Sequence, residues 1–282
     1  SGIRRASTGE FANPDAYILT DGAGNPRYPV RAGTDAASVS QPLTAAESRA
    51  ILEEAFKVLA RARAQIRRPL DSRMQATISL VDTHGVVLGI VRSPDGPIFG
   101  TAIFPFADRP GGTLARPYFP DGEVARPPGP FSVEQSAQFS PFAVGLQTDL
   151  VAGNIVQHLG FVLGAGPDTP RACTQVPDAP GGVKRIANGI QIFPGSVPIY
   201  RGNQLVGGIG VSGDGIDQDD MVSFLGAHNS GLRVGGIGNA PKDIRADRIV
   251  VNVAGRPVRL RYISCPFAPF LDDPVQNVCE GL

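Results

Sequence analysis

Apolar residues recur at three- and four-residue spacing in the stretch that follows Leu43, and this pattern predicts an amphipathic helix. Thr44, with Glu47 three residues later, forms a capping-box sequence, in which each side chain bonds a backbone amide at the helix start. The apolar stripe comprises Ile51, Leu52, Ala55, Phe56, Leu59, Ala62 and Ile66. The opposite face carries Arg49, Glu53, Lys57 and Arg61, a ladder of charges that we expect to be solvated. The helix is predicted to end before Pro69.

Stretches rich in β-branched residues alternate with turn sequences along the rest of the chain. Residues 76–81 and 86–91 predict a hairpin, with the turn at 82–85 leaving His84 exposed. Further strands are predicted at 190–193, 197–200 and 205–211, helices at 148–163 and 217–228, and a closing hairpin at 248–253 and 258–263.

Three regions lack this regularity. Residues 1–41 are polar, dotted with Gly and Pro, and predict an N-terminal arm. Residues 104–145 are irregular and rich in Pro, Gly and Phe, and they open a long insertion over about 104–188. A loop of this length inside a compact domain is typical of a functional or partner-contacting segment. Residues 229–282 predict a C-terminal hairpin followed by a tail.

Composition narrows the choice of partner. The 282 residues carry 26 basic and 26 acidic side chains, and the net charge of zero argues against nucleic acid, which demands a basic footprint. No charge-free apolar run approaches the roughly 18–20 residues of a membrane-spanning helix. The expected partners are therefore a small molecule or other protein chains.

Cysteine placement suggests a compartment. Cys265 and Cys279 enclose a short Pro-rich segment of the tail, and we predict a disulfide between them. Such a bond is typical of the periplasm or the extracellular space. Cys173 is left over, either free, paired with another chain or bound to something else.

Two stretches of the sequence resemble one family. The first is LTAAESRAILEEAFKVLARA with ISLVDTHGVVLGIVRSPDGPIFGTA, within residues 43–102, and the second is PGSVPIYRGNQLVGGIGVSGDGIDQDDMVSFLGAH, within residues 190–228. Both are similar to the HbpS-like, or GlcG, family of heme-binding and proposed heme-degrading proteins, which also forms the C-terminal domain of PduO-type proteins. The resemblance implies an α+β domain over 42–228, with an antiparallel sheet flanked by helices in an α-β-α arrangement, often assembled as homo-oligomers.

The junction Gly210-Val211-Ser212-Gly213-Asp214-Gly215 joins a predicted strand to a predicted helix. Its glycines and the free amides of the helix start could hold an anion, such as a heme propionate, beside Ser212. Four carboxylates in this stretch favour the alternative, a turn capped by its own side chains. They are Asp214, Asp217, Asp219 and Asp220.

Histidine and arginine supply the other candidate ligands. His158 lies on the apolar stripe of the predicted second helix, where it could ligate the iron of a bound heme, and His228 lies near the end of the third. For each, a histidine that only serves the fold remains the alternative. Arg259 and Arg261 share one face of the closing hairpin and could contact a propionate, or simply be solvated. The sequence contains no Cys-x-x-Cys-His, so any heme would be held non-covalently.

The resemblance to the HbpS-like family implies a heme-binding protein, and the predicted disulfide suggests that it is secreted or periplasmic. The alternative is a non-enzymatic interaction subunit of a larger assembly, which the irregular insertion and the stapled tail would suit. Catalysis is disfavoured, because neither a nucleophile nor an acid–base pair stands out in the sequence.

Overall fold

The computed structural model describes residues 2–69, 71–96, 179–182 and 195–282. The chain divides into two units, one formed by residues 1–97 and 194–282 and the other by residues 98–193. In the second unit the described residues form a single 3₁₀ turn, Pro180–Gly182. The helix predicted at 148–163, the strand predicted at 190–193, His158 and Cys173 lie outside the described residues, as does most of the insertion.

The first unit is built on a six-stranded antiparallel sheet. Its strands are β1 (Gly2–Arg5), β2 (Tyr17–Thr20), β3 (Thr77–Val81), β4 (Val87–Arg92), β5 (Ser196–Arg201) and β6 (Gln204–Ser212). The spatial order is β1-β2-β4-β3-β6-β5, so the predicted hairpin β3–β4 and the predicted strands β5 and β6 lie side by side. The predicted α+β class with an antiparallel sheet is confirmed.

Helix α1 (Ala45–Arg61) begins with the predicted capping box. Its apolar stripe packs against β3 and β4 and joins the main core, as the pattern predicts. The helix ends before Pro69, as predicted, but it already stops at Arg61, because residues 61–63 pair with the C-terminal tail: the amide of Arg63 donates to the carbonyl of Pro269 at 2.7 Å. Ile66 therefore lies outside the helix and is 64% exposed.

The charged face of α1 is also less solvated than its sequence predicts. Glu53 is buried because the N-terminal arm and the end of the helix Ile216–Val234 cover it. Its carboxylate accepts a hydrogen bond from the amide of Ala12 at 3.0 Å and pairs with Arg233 at 2.7 Å. Ala12 and Arg233 lie 41 and 180 residues from Glu53 in sequence, so the local pattern of α1 cannot predict this burial.

Helix α2 (Ile216–Val234) is longer than the predicted 217–228 and packs against β5, β6 and α1. The two helices approach closely at Gly226, where an added Cβ would lie 2.5 Å from the Cβ of Ala55. Only a residue without a side chain allows this approach without a shift of the helices. Among the described residues, no helix combines the length and the apolar composition that crossing a membrane requires.

The N-terminal arm contributes β1 and β2 to one edge of the sheet, and its later part is tied to the β3–β4 turn. Thr34 donates its amide and hydroxyl to Asp82, and Thr83 donates the same two groups to Asp35, at 2.6–2.9 Å. Under this cover His84 is only 5% exposed, and its Nε2 lies 2.8 Å from the Oγ of Ser38. The predicted exposure of His84 is therefore wrong.

The C-terminal region forms a separate two-stranded hairpin, β7 (Val250–Val253) and β8 (Arg256–Arg259), where the sequence predicts one. In the tail that follows, the Sγ atoms of Cys265 and Cys279 lie at bonding distance, with their Cα atoms 6.4 Å apart. That Cα separation falls in the range of disulfides. The tail then returns to α1, where Phe270 joins the core.

Candidate functional site

A cleft of about 700 Å³ lies between α1, α2, the N-terminal arm and the C-terminal tail. This volume falls in the range of small-molecule sites. The described residues that line it are Asn13, Pro14, Asp15, Glu54, Phe56, Lys57, Val58, Ala60, Arg61, Leu225, His228, Asn229, Phe270, Val278 and Leu282.

Helical periodicity turns the polar and apolar groups of two helices towards this space. On α2, Leu225, His228 and Asn229 are spaced at i, i+3 and i+4, so they share one face. On α1, Glu54, Lys57 and Arg61 lie along one side at three- and four-residue steps. The tail closes the cleft with Phe270, Val278 and Leu282.

His228 is the ligand candidate that the structure places in the cleft. It is half-buried, and within the described residues its ring makes no hydrogen bond or ion pair. An imidazole in such a position can coordinate a metal, because none of the described residues occupies its nitrogen atoms.

The charged groups at the rim are already in pairs. Lys57 lies 2.7 Å from Glu54, and Glu54 also accepts from Arg233 at 3.1 Å. Arg61 pairs with Asp272 at 3.3 Å and with Asp273 at 3.1 Å, and its guanidinium stacks 4.4 Å from the ring centre of Phe270. The pairs of Arg61 are solvent-exposed on both sides, and exposed pairs contribute only about 0–1 kcal/mol each. An anionic group entering the cleft could therefore pair with Arg61 in place of Asp272 and Asp273, with little loss of free energy.

The strand–helix junction at the start of α2 is organised differently. Asp214 accepts from the amides of Gln65, Ile66 and Gly215 at 2.6, 3.1 and 2.9 Å, which ties the segment after α1 to the start of α2. Asp220 accepts from the amide of Ser264 at 2.8 Å. These carboxylates serve the fold, as expected for a self-capped turn.

Asp219 lies in the same junction and is almost fully buried. Burial raises the pKa of its carboxyl from 3.8 to about 8, against the opposing effect of two amides. Those amides, of Gly213 and Asp214, donate from 3.2 and 3.3 Å, which is too long to offset the desolvation of the charged form. Within the described residues, no group of three or more His, Cys, Asp or Glu is arranged to hold a metal ion.

The remaining candidates from the sequence lie elsewhere. Ser212 ends β6, and Arg259 and Arg261 are exposed on and beside the closing hairpin, where Arg259 donates to the carbonyl of Asp247 at 2.8 Å. None of the three is among the described residues that line the cleft. His158 lies outside the described residues.

Sequence reasoning missed the wall formed by the tail. Phe270 belongs to a segment without helical or strand periodicity, so nothing in its neighbourhood indicated a buried role. The only available signal was the predicted disulfide, which implied that the tail was held in place.

Comparison with known proteins points to one family. Residues 146–227, less than a third of the chain, match the family model described as "Haem degrading protein HbpS-like". This match overlaps the second of the two stretches that carry the resemblance and does not extend to the first. No curated protein matches the chain.

Among solved structures, that of a PduOC–heme complex is similar to this chain, with 15% identity. The aligned region covers 70% of this chain and 94% of the PduOC chain. The TM-score of 0.26 is too low for the likeness to bear on the fold or on a ligand. The match over residues 146–227 confirms the resemblance of that stretch to the HbpS-like family.

Proposed function

We propose that this protein binds heme non-covalently in the cleft, with His228 as a ligand of the heme iron. The observation that carries the proposal is the half-buried imidazole of His228, whose ring has no hydrogen-bonding or ionic partner within the described residues, in a cleft with apolar walls. The family description, which names heme-degrading proteins, supports heme as the ligand.

The lining groups fit the chemistry of heme. Leu225, Phe270 and Val278 offer apolar surface to a flat macrocycle, and Arg61 and Lys57 offer cations to its propionates. A bound heme would supply an iron atom that the imidazole of His228 could ligate. The chain's own part would be to orient that imidazole, exclude water from the cleft and neutralise the propionates.

A heme titration of the purified chain tests the proposal. We expect a saturable Soret band at about one equivalent of heme per chain. Replacing the ligand, in His228→Ala, should weaken binding by at least about tenfold, since losing even an outer partner of a metal ligand has that effect.

The matched control is His158→Ala, which removes the other histidine that the sequence singles out. It should leave the titration unchanged. A Soret band lost in His158→Ala and kept in His228→Ala would overturn the assignment of His228. A non-saturating response of the unmodified chain would overturn heme binding itself.

We also propose that the protein works in the periplasm or the extracellular space. The placement of Cys265 beside Cys279 supports this, because such a bond persists in oxidising compartments. Mass spectrometry of the purified chain, alkylated without reductant, should find these two cysteines unlabelled. Labelling of both would contradict the proposal.

A role as an interaction subunit remains the second candidate function. It is favoured by the hairpin β7–β8, all of whose residues are exposed.

A further inference from the structure

The C-terminal hairpin has no support from the main sheet. Strands β7 and β8 pair only with each other, and every residue of both is exposed. An isolated two-stranded hairpin is at best marginally stable in water and gains stability when one of its faces packs against another surface. The exposed hairpin is therefore a place where this protein can meet a partner.

The register separates the side chains of the hairpin into two unlike faces. Residues directly opposite on antiparallel strands share a face, and alternate residues along a strand do too. Val251 lies opposite Val258, and the amide of Leu260 donates to the carbonyl of Ile249 at 2.9 Å, which continues the same pairing. One face therefore carries the aliphatic residues Ile249, Val251, Val253, Val258 and Leu260, each 38–54% exposed, and we call it the aliphatic face.

The opposite face, which we call the arginine face, is basic. Val250 lies opposite Arg259 at its centre, and the same alternation puts Arg248 and Arg261 on this side. Arg248 donates to the backbone carbonyl of Asp243, and Arg259 to that of Asp247 at 2.8 Å. Within the described part of the chain, none of these three arginines forms an ion pair with a carboxylate, so their charges remain available to an anionic partner.

The charge of the hairpin differs from that of the whole chain. Residues 248–261 contain four arginines and no acidic residue, whereas the chain has 26 basic and 26 acidic side chains. The net charge of zero therefore conceals a basic segment that an acidic excess elsewhere balances. A local excess of one sign attracts a surface of the opposite sign.

We propose that the hairpin β7–β8 binds the surface of a lipid bilayer that carries anionic headgroups. The aliphatic face turns towards the acyl chains, and the arginine face lies among the headgroups. Helices that lie in the membrane interface divide their residues in the same way, with apolar side chains on one face and basic ones on the other. Arg256 lies at the tip of the hairpin on the aliphatic face, and its long side chain can reach from there to the phosphates.

A bilayer is the partner that uses both faces. A nucleic acid would pair with the arginine face and leave the aliphatic face in water. A protein interface of standard size takes roughly 800 Å² from each partner, which is more than five half-exposed aliphatic side chains supply. Binding to a bilayer instead grows with the apolar area that is buried and with the attraction to anionic lipids, so a small aliphatic face contributes in proportion to its size.

Co-sedimentation of the full chain with lipid vesicles tests the proposal. We expect binding to vesicles of phosphatidylcholine mixed with phosphatidylglycerol, and binding at least about tenfold weaker to vesicles of phosphatidylcholine alone, since each basic residue near an anionic surface contributes about fivefold. Added salt should weaken the binding to the mixed vesicles, because it screens these charges.

Two matched variants separate the aliphatic face from charge alone. Val251→Asp and Val250→Asp introduce the same charge one residue apart, the first on the aliphatic face and the second on the arginine face. Both variants should bind the mixed vesicles less well than the unmodified chain. The loss in Val251→Asp should be larger by about tenfold, because only this variant also removes an apolar side chain from the acyl region.

Three results would each overturn the proposal. They are a chain that leaves the mixed vesicles unbound, a chain that binds both kinds of vesicle equally, and equal losses in the two variants. If the chain bound a DNA duplex and not the vesicles, the partner would be a nucleic acid, and the assignment of a bilayer would be wrong. Circular dichroism of both variants would show that the fold is retained.

Discussion

Both ends of α2 carry polar residues that the sequence offers as candidate ligands, but the fold buries one set and leaves the other facing a cleft. At the start of the helix, the carboxylates of Asp214, Asp219 and Asp220 accept backbone amides and are almost completely buried. Near the other end, His228 and Asn229 face an open cleft, and the ring of His228 makes no hydrogen bond within the described residues. The carboxylates at the start of the helix are held within the fold, whereas His228 and Asn229 line the cleft.

This contrast shows that a cluster of carboxylates in the sequence does not by itself indicate a ligand-binding site. A carboxylate buried within the fold is closed to a ligand, however many of its kind lie nearby, and Asp214 is 9% exposed. An unpaired imidazole beside apolar walls keeps its capacity. The difference between the two ends can be measured as stability on one side and ligand affinity on the other.

Removal of Asp214 tests the structural end and should have the largest effect. Asp214→Ala leaves the amides of Gln65, Ile66 and Gly215 without their acceptor, and we expect a loss of about 3 kcal/mol in the free energy of unfolding. Denaturant unfolding of the oxidised protein measures it. As a control, Asp217→Ala removes a carboxylate from the first turn of the same helix, where the expected loss is below about 1 kcal/mol. Equal losses in the two variants would remove the contrast.

The pH dependence of stability tests the same end through Asp219. Between its ordinary pKa of 3.8 and about 8, the folded state holds a proton that the unfolded chain has released. Stability should therefore fall as pH rises through this window, by up to about 1.4 kcal/mol per pH unit for one proton. Burial also raises the pKa of Asp220, so the neutral variant Asp219→Asn should reduce this slope rather than abolish it, and unfolding midpoints from pH 5 to 8 would reveal the change. A slope as steep in the variant as in the unmodified chain would contradict the assignment.

Glu10 provides a control with the opposite sign outside this window. Its hydrogen-bonded pairing with Arg4 lowers the pKa of its carboxyl from 4.5 to about 2. The stability from this pair is present above pH 4.5 and is lost as pH falls towards 2. Glu10→Gln should therefore leave the slope between pH 5 and 8 unchanged.

The open end should show the smallest effect on stability. His228→Ala removes a half-buried ring with no hydrogen bond to the described residues, so we expect the free energy of unfolding of the heme-free protein to change by less than about 0.5 kcal/mol. The same variant is the one expected to lose heme. A large loss of stability would show that His228 stabilises the fold, as the carboxylates at the start of α2 do, and the contrast between the two ends would not hold.

Sequence reasoning succeeded where the determinants are close along the chain. The capping box at Thr44 and Glu47, the hairpin β3–β4 and the adjacent strands β5 and β6 depend on neighbouring residues, and all are present. It failed for β1 and β2, which are four residues long and show no clear alternation. Strands this short are stabilised by their place at the edge of an existing sheet. They form because β4 is there to pair with β2, and the sequence of the arm alone does not predict them.

The candidate site divides in the same way. His228 was identified from its position near the end of a predicted helix, and the structure places it in a cleft. The wall formed by Phe270 and the pairing of Arg61 with Asp272 depend on the return of a tail more than 200 residues away in sequence. A sequence window cannot report contacts of that separation.

By itself the sequence determined the local elements of this protein, the α+β class, the resemblance to the HbpS-like family and a short set of candidate ligands. Only the tertiary structure decided which polar residues are buried and hydrogen-bonded within the fold. It buried Glu53 and His84, which the sequence predicts as exposed, and left the ring of His228 facing the cleft. The physical reason is that hydrogen-bond satisfaction and burial depend on partners brought together from distant parts of the chain, whereas helix and strand periodicity depend on near neighbours.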